Sequence, residues 1–347
     1  MKKLMSLLLA TLMMASVLSG CGGSGATSTP AASGSAASGS AASGSAAAGT
    51  GATDSLTFST GGSQGTYYAF GGVLSQYVTS KTGLTITAIE SGGSQNNIEN
   101  IQDGAAQLAF VQSDVMSYAY QGTNLFKDSG AVTDFSTVAD LYMEQVQIVT
   151  TNPDIKTVAD LKGKNVSIGD AGSGVFYNAI DILGAYGLTE QDINPTYQGF
   201  GDSADSLQDG KLDAAFVVAG APTTAITSLA TTKSVYLVGL DDEHIDKLLQ
   251  TSPYYSKYVI PAGTYEGLDS DTTTVAVGAV VIARDDVSED AIYDFVSTIF
   301  ENLDAISAQH AKGKELSVEF AASVTSVPYH SGAAKYFAEK GITVPTK

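Results

Sequence analysis

The sequence predicts an α/β fold in two lobes with a cleft between them. Three observations lead there. Apolar strand-like runs alternate with helical stretches from residue 54 to 347, and glycine- or serine-bearing turns join them. The order then repeats. QDGAAQLAFVQSD at 102–114 is echoed by QDGKLDAAFVVAG at 208–220, a shift of 106, and the glycine turn around Ser63 is echoed around Ser173, a shift of 110. A repeat of that size is a lobe rather than the unit of a solenoid. Finally, the C-terminal segment carries a strand and helices that must pack somewhere, and the first lobe is the expected place. The expected boundaries are 54–148 with 262–347 for lobe 1, and 149–261 for lobe 2.

The N-terminal part has a different character. Lys2 and Lys3 precede a fifteen-residue apolar run at 4–18. A membrane-spanning helix needs about 20 such residues, so the run reads as the core of a signal peptide. It ends in Leu-Ser-Gly-Cys, which resembles the lipobox of bacterial lipoprotein signals and makes residues 1–21 a signal with Cys21 as lipid anchor. Cys21 is the only cysteine, so no internal disulfide can form. Residues 22–53 are Gly/Ala/Ser-rich, uncharged and without aromatics, the composition of a flexible tether.

In the first cycle, 56–59 is a strand, followed by the turn at 61–65 and a helix over 66–81. A strand at 85–89 leads to Ser94, placed to cap a helix over 95–103 that Gly104 stops. A buried strand at 108–111 precedes a helix at 114–121, and 138–142 and 145–150 read as two further strands. The second cycle opens with a short helix and turn at 158–163. A strand at 164–168 runs into GDAGSG and a helix over 174–186. A short strand at 197–199 is followed by a helix at 203–209 with Asp202 as its cap. The strand at 214–218 leads to a helix opened by Gly220-Ala-Pro222, and 235–240 is a strand. The tail reads as a strand at 274–283, one helix over 289–309, and short helices at 317–322 and 333–340.

Charge excludes some functions. After loss of Lys2 and Lys3 the chain holds 15 basic residues against 36 acidic ones, a net charge of −21. Nucleic acid demands basic patches, so it is not an expected partner. Arg284 is the only arginine, which limits any site built on Arg–carboxylate pairing. Helix starts offer another way to hold an anion. Each carries unpaired N–H groups and roughly half a positive charge. Six helices begin directly after strands, and in an open α/β sheet ligands bind at that edge. Ser63, Ser94, Ser113 and Ser173 could add hydroxyl donors, and Tyr67, Tyr142 and Phe176 could supply apolar walls. Gly61-Gly-Ser63-Gln-Gly65 also fits the G-x-S-x-G nucleophile elbow, with His310 and His330 downstream. No oxyanion segment precedes it, and the turn around Ser173 echoes it without the motif. No metal-ligand spacing is present, and no cofactor is expected.

TGGSQGTYY, ESGGSQNNI, LAFVQSD, LKGKNVSIGDAGSG, QDGKLDAAFVVAGAPT and YHSGAAKYFAEKG together resemble the TAXI-type solute-binding proteins of TRAP transporters. The likeness covers essentially all of 54–347. It implies a periplasmic-binding-protein fold of class II, no catalysis, and delivery of a solute to a TRAP-type membrane permease. It implies a carboxylate ligand, glutamate- or glutamine-like or a related organic acid. By motif it places Gly62, Ser63, Tyr67, Ser94, Gln112, Ser113, Asp114, Gly172, Ser173, Gly174 and the turn Gly220, Ala221, Pro222 at the ligand. Val175 and Phe176 depart from the family, which has Thr and a polar residue there, and point to a less polar ligand. The expectation is an extracytoplasmic, lipid-anchored monomeric receptor. The alternatives are a secreted serine hydrolase using Ser63 and a non-transport adhesin or sensor on the same fold.

Overall fold

A computed structural model describes residues 55–347; the signal peptide, Cys21 and the tether lie outside the described residues. The strand Ser55–Ser59 (β1) runs through the first glycine turn into Thr66–Lys81 (α1). Thr85–Ile89 (β2), Ser94–Gln102 (α2), Leu108–Gln112 (β3) and Ser113–Gln121 (α3) complete the first cycle. One strand, Phe135–Thr150 (β4), then crosses the molecule. Asn165–Ser167 (β5), Gly174–Ala185 (α4), Asn194–Thr196 (β6), Phe200–Gln208 (α5), Ala214–Ala219 (β7), Thr224–Ala230 (α6) and Tyr236–Val238 (β8) form the second cycle. Asp242–Thr251 (α7) and Ser256–Ile260 (β9) lead to a second long strand, Thr272–Arg284 (β10). Glu289–Phe300 (α8), Leu303–Ser307 (α9), Val318–Ala321 (α10) and Ser331–Glu339 (α11) close the chain.

The strands form one sheet in the order β2-β1-β3-β10-β4-β7-β5-β6, with β8 on β4 and β9 on β10. The internal echo becomes topology. β1 lies between β2 and β3, β5 lies between β6 and β7, and all four pairings are parallel. Phe58 pairs with Leu108 as Val166 pairs with Ala214. Parallel neighbours need crossover helices, and the helices after each glycine turn supply them.

Three buried clusters pack on this sheet, and two of them meet at its middle. The first takes Val138, Leu141 and Tyr142 from β4, Ala279–Ala283 from β10, and Ile292, Phe295 and Phe337 from the tail helices. The second takes Val146 and Ile148 from β4, Val275 and Val277 from β10, and Ile182 and Leu183 from α4. Both long strands therefore pass from one core to the other, β4 near Glu144 and β10 near Gly278.

Several element boundaries differ from the sequence reading. The strands expected at 138–142 and 145–150 are one, because Met143 and Glu144 keep the ladder by pairing with Gly278 and Val277. The helix expected over 289–309 breaks after Phe300 and again after Ser307. Ser94 does not cap α2. Gly93 is the N-cap, and Ser94 Oγ instead accepts from Gln112 N–H at 3.1 Å. Asp202 lies inside the first turn of α5, whose N-cap is Gly199. Pro222 precedes α6, whose N-cap is Thr223, and follows a cis peptide bond. The strand expected at 197–199 lies at Asn194–Thr196, and α7 and β9 escaped the sequence reading. Among the described residues no helix is long and apolar enough to cross a membrane.

Candidate functional site

A cleft of about 500 Å³ opens where the two cycles face each other. Four helix starts form its wall. The first-cycle side gives Gly65, Thr66 and Tyr67 of α1 and Gly93 and Ser94 of α2. The second-cycle side gives Ser173, Gly174 and Val175 of α4, and Gly199, Phe200, Gly201 and Asp202 of α5. None of these four helices has a side-chain N-cap bond. Of the other helices, α3, α6 and α9 also lack one, whereas Asp241, Ser288 and Ser317 each accept from an N–H of α7, α8 and α10. The first-turn N–H groups at the cleft are thus left to other acceptors.

Local sequence explains the shape. Gly93 has φ +106°, a conformation that costs any other residue. Gly174 sits against the opposite side, where a Cβ would lie 1.7 Å from Gln112 Oε1. Tyr67 stacks on Phe110 with centroids 4.7 Å apart, which fixes its hydroxyl in the floor. That hydroxyl donates to Glu144 Oε2 at 2.6 Å. Both groups are buried, and burial is the main cause that raises the pKa of Tyr67 and of Glu144 well above their ordinary values.

The two sides touch directly. Asn96 N–H donates to Gly172 O, and Ala225 N–H to Gln64 O, both at 3.2 Å. Thr66 Oγ1 donates to Gly220 O at 2.8 Å. Deeper in, Gln112 Nε2 donates to Asn178 Oδ1 at 3.0 Å. These contacts are those of a closed cleft.

Of the residues expected at the site, Gly62, Ser63, Tyr67, Ser94, Gln112, Ser173, Gly174 and Val175 line the cleft. The others do not. Ser113 is turned to the crossing strand, where its Oγ accepts from Gly278 N–H at 3.0 Å. Asp114 is buried behind the floor and accepts from Asn178 Nδ2. Tyr142 lies beneath, packed on Phe70 and Phe110 with Lys312 Nζ over its ring. Gly172 contributes its carbonyl to the contact with Asn96. Phe176 packs edge-on against Tyr177 at 4.8 Å, outside the cleft. Gly220 is covered by Thr66 and Lys312. Ala221 and Pro222 face a second cavity of about 400 Å³ with Gln145, Tyr258 and Glu315.

The sequence reading missed four acids. Glu90, Asp170 and Asp202 are exposed at the rim, and Glu144 is in the floor. A lone acid inside the apolar run LYMEQVQIVT was the available signal for Glu144. Among the described residues no lysine or arginine lines the cleft. Arg284 is paired bidentately with Asp286 at 2.6 and 3.0 Å instead. Among the described residues no group of three or more His, Cys, Asp or Glu side chains is placed to hold a metal ion.

Ser63 is exposed at a loop tip, and the histidines are engaged elsewhere. His310 stacks on Phe70, His330 binds Gly332 N–H and Val287 O, and His244 pairs with Asp241. Among the described residues no histidine is bonded to the elbow serine.

The sequence pattern of the NMT1-like family matches residues 58–341. Among solved structures, a Bordetella bronchiseptica RB50 protein aligns at 14% identity over 82% of this chain and 88% of its own, with a TM-score of 0.50. The periplasmic aliphatic sulphonate binding protein SsuA from Escherichia coli aligns at 17% identity over 83% and 90%, with a TM-score of 0.44. The ligand-binding component of an ABC-type import system from Staphylococcus aureus aligns at 10% identity over 84% and 94%, with a TM-score of 0.48. At such identities the first is a likeness of fold alone.

Proposed function

The chain belongs to the NMT1-like family, and from that premise we propose that it is an extracytoplasmic solute-binding receptor that captures a small carboxylate and carries out no catalysis. The observation that carries this reading is the convergence of four helix starts without side-chain caps on one cleft. Their N–H groups and partial positive charges suit an anion where no cationic side chain is at hand. The exposed rim acids Glu90, Asp170 and Asp202 suit an ammonium group on the same ligand, as in a glutamate-like amino acid. The direct contacts across the cleft support capture by closure of two lobes, with β4 and β10 as the segments that flex. The motif resemblance to TAXI-type proteins supports delivery to a TRAP-type permease, from a body tethered to the membrane through Cys21.

Thermal melting of the purified protein with L-glutamate, L-glutamine, glutarate and succinate tests the ligand class. A ligand at 100 times its Kd adds about 2.7 kcal/mol to stability, which a melting curve resolves easily. Absence of any shift with every carboxylate overturns the reading. A C21S variant recovered in the soluble rather than the membrane fraction is the outcome expected for the anchor.

A further inference from the structure

Glu144 stands apart from the other acids of the cleft. It lines the floor yet is only 2% exposed. It sits where β4 leaves the first core for the second, opposite Val277 of β10. Tyr67 donates to its Oε2, and Oε1 takes no hydrogen bond from any described residue. The charged and titratable groups that face it are Tyr67 from α1, Asp114 from α3, Asp140 and Tyr142 from its own strand, and Lys312 from the 311–315 segment. Lys312 Nζ is already bound to Glu315 Oε1 at 2.6 Å. Two further acids and one committed lysine do not stabilise a buried anion, and burial disfavours it further. A neutral carboxyl has an O–H to give. Tyr67 holds one oxygen, so that O–H belongs on Oε1.

We propose that Glu144 is the specificity-determining residue of this cleft, donating its Oε1–H to an anionic oxygen of the ligand while Tyr67 fixes its orientation. The proposal rests on the carboxylate reading above and adds a proton to it. At this position the floor then presents a donor, alongside the four helix starts, and reads the ligand's negative charge without any cation. Above the pKa of Glu144, binding takes up one proton from solvent.

Calorimetry of L-glutamate and of glutarate binding to wild type, E144Q and E144A between about pH 6 and pH 9 tests it. Wild-type affinity is expected to fall up to about tenfold per pH unit on the alkaline side, with proton uptake visible across buffers of different ionisation enthalpy. E144Q keeps an acceptor for Tyr67 and an N–H for the ligand, so it binds without that slope. E144A loses about 10- to 100-fold, the worth of a hydrogen bond to a charged group. A wild-type pH dependence that E144Q retains in full, or wild-type binding that ignores pH in a protein without a protonated-carboxyl band in its infrared spectrum, overturns the proposal and leaves the carboxylate reading standing. Failure of both anions to bind wild type at any pH sinks that reading, and the proposal with it. The infrared spectrum of the ligand-free protein at neutral pH gives a second measure. A protonated-carboxyl C=O band that E144Q removes supports the assignment, and its absence from wild type overturns it even where E144A fails to fold.

Discussion

Asn178 Nδ2 donates to Asp114 Oδ2 at 2.9 Å, and this bond ties helix α4 of the second cycle to helix α3 of the first. The same amide nitrogen reaches Tyr255 Oη at 2.7 Å, and Asn178 Oδ1 accepts from Gln112. One buried side chain thus bonds Gln112 and Asp114 across the closed cleft and Tyr255 on its own side. Asn178→Ala strands Gln112 and Asp114 in the interior. A loss of about 1–3 kcal/mol is expected, the cost of buried polar groups without partners, and urea unfolding measures it. Wild-type stability in the variant would remove the amide's role as a tie.

Asp114 also makes stability depend on pH. It is fully buried, and burial raises its pKa from 3.8 to about 7. The folded protein therefore keeps a proton that the unfolded chain has lost. This group's contribution is most favourable below its ordinary pKa, declines as pH rises toward about 7, and is level above that. Asp114→Asn keeps an oxygen for Asn178 and has nothing to titrate. Unfolding at pH values inside and above this window should show a smaller stability difference in the variant than in wild type. Equal differences count against it.

Gly174→Ala tests closure. The new Cβ meets Gln112 Oε1 at 1.7 Å and Val115 Cγ2 at 3.0 Å, so the two sides must separate or repack. A cost of about 1–3 kcal/mol is expected for such overpacking, with a larger radius of gyration in solution scattering. An unchanged radius and melting temperature would show that the two sides do not meet there in solution.

Gly93→Ala tests the start of α2. Space is adequate, since the nearest atoms to a Cβ are those of Ser173 at 3.5 Å. The cost comes from the backbone at φ +106°, about 1–3 kcal/mol. Gly62→Ala is the control, because its Cβ meets nothing within 4 Å and its φ is not positive. Equal melting temperatures for the two variants would contradict this account.

Ser63 should not react with a fluorophosphonate probe, because among the described residues no histidine is bonded to it to take its proton. Labelling of wild type that Ser63→Ala abolishes would restore the hydrolase alternative.

The amino-acid sequence by itself determined the local grammar of this protein. Apolar runs, glycine turns and the helices after them are set by backbone sterics and side-chain period, and both are local properties. The echo of 102–114 in 208–220 was legible for the same reason, and so were the turns that meet at the cleft. Only tertiary structure decided which atoms face inward at those turns. Ser94 was free to cap its own helix until β3 offered the N–H of Gln112. Asp114 and Ser113 begin a helix at the right edge of the sheet, yet Asn178 and Gly278 draw them behind the floor. Phe176 and the turn at Gly220, Ala221 and Pro222 are set aside by packing that no spacing reveals. Glu144 is the clearest case. The apolar run around it marks a buried acid, but nothing near it in sequence says that it faces a cleft. Its role comes from Tyr67, seventy-seven residues away, and from the crossing of β4 between two cores. Long-range contacts of this kind set burial, and burial sets the charge a carboxyl can carry.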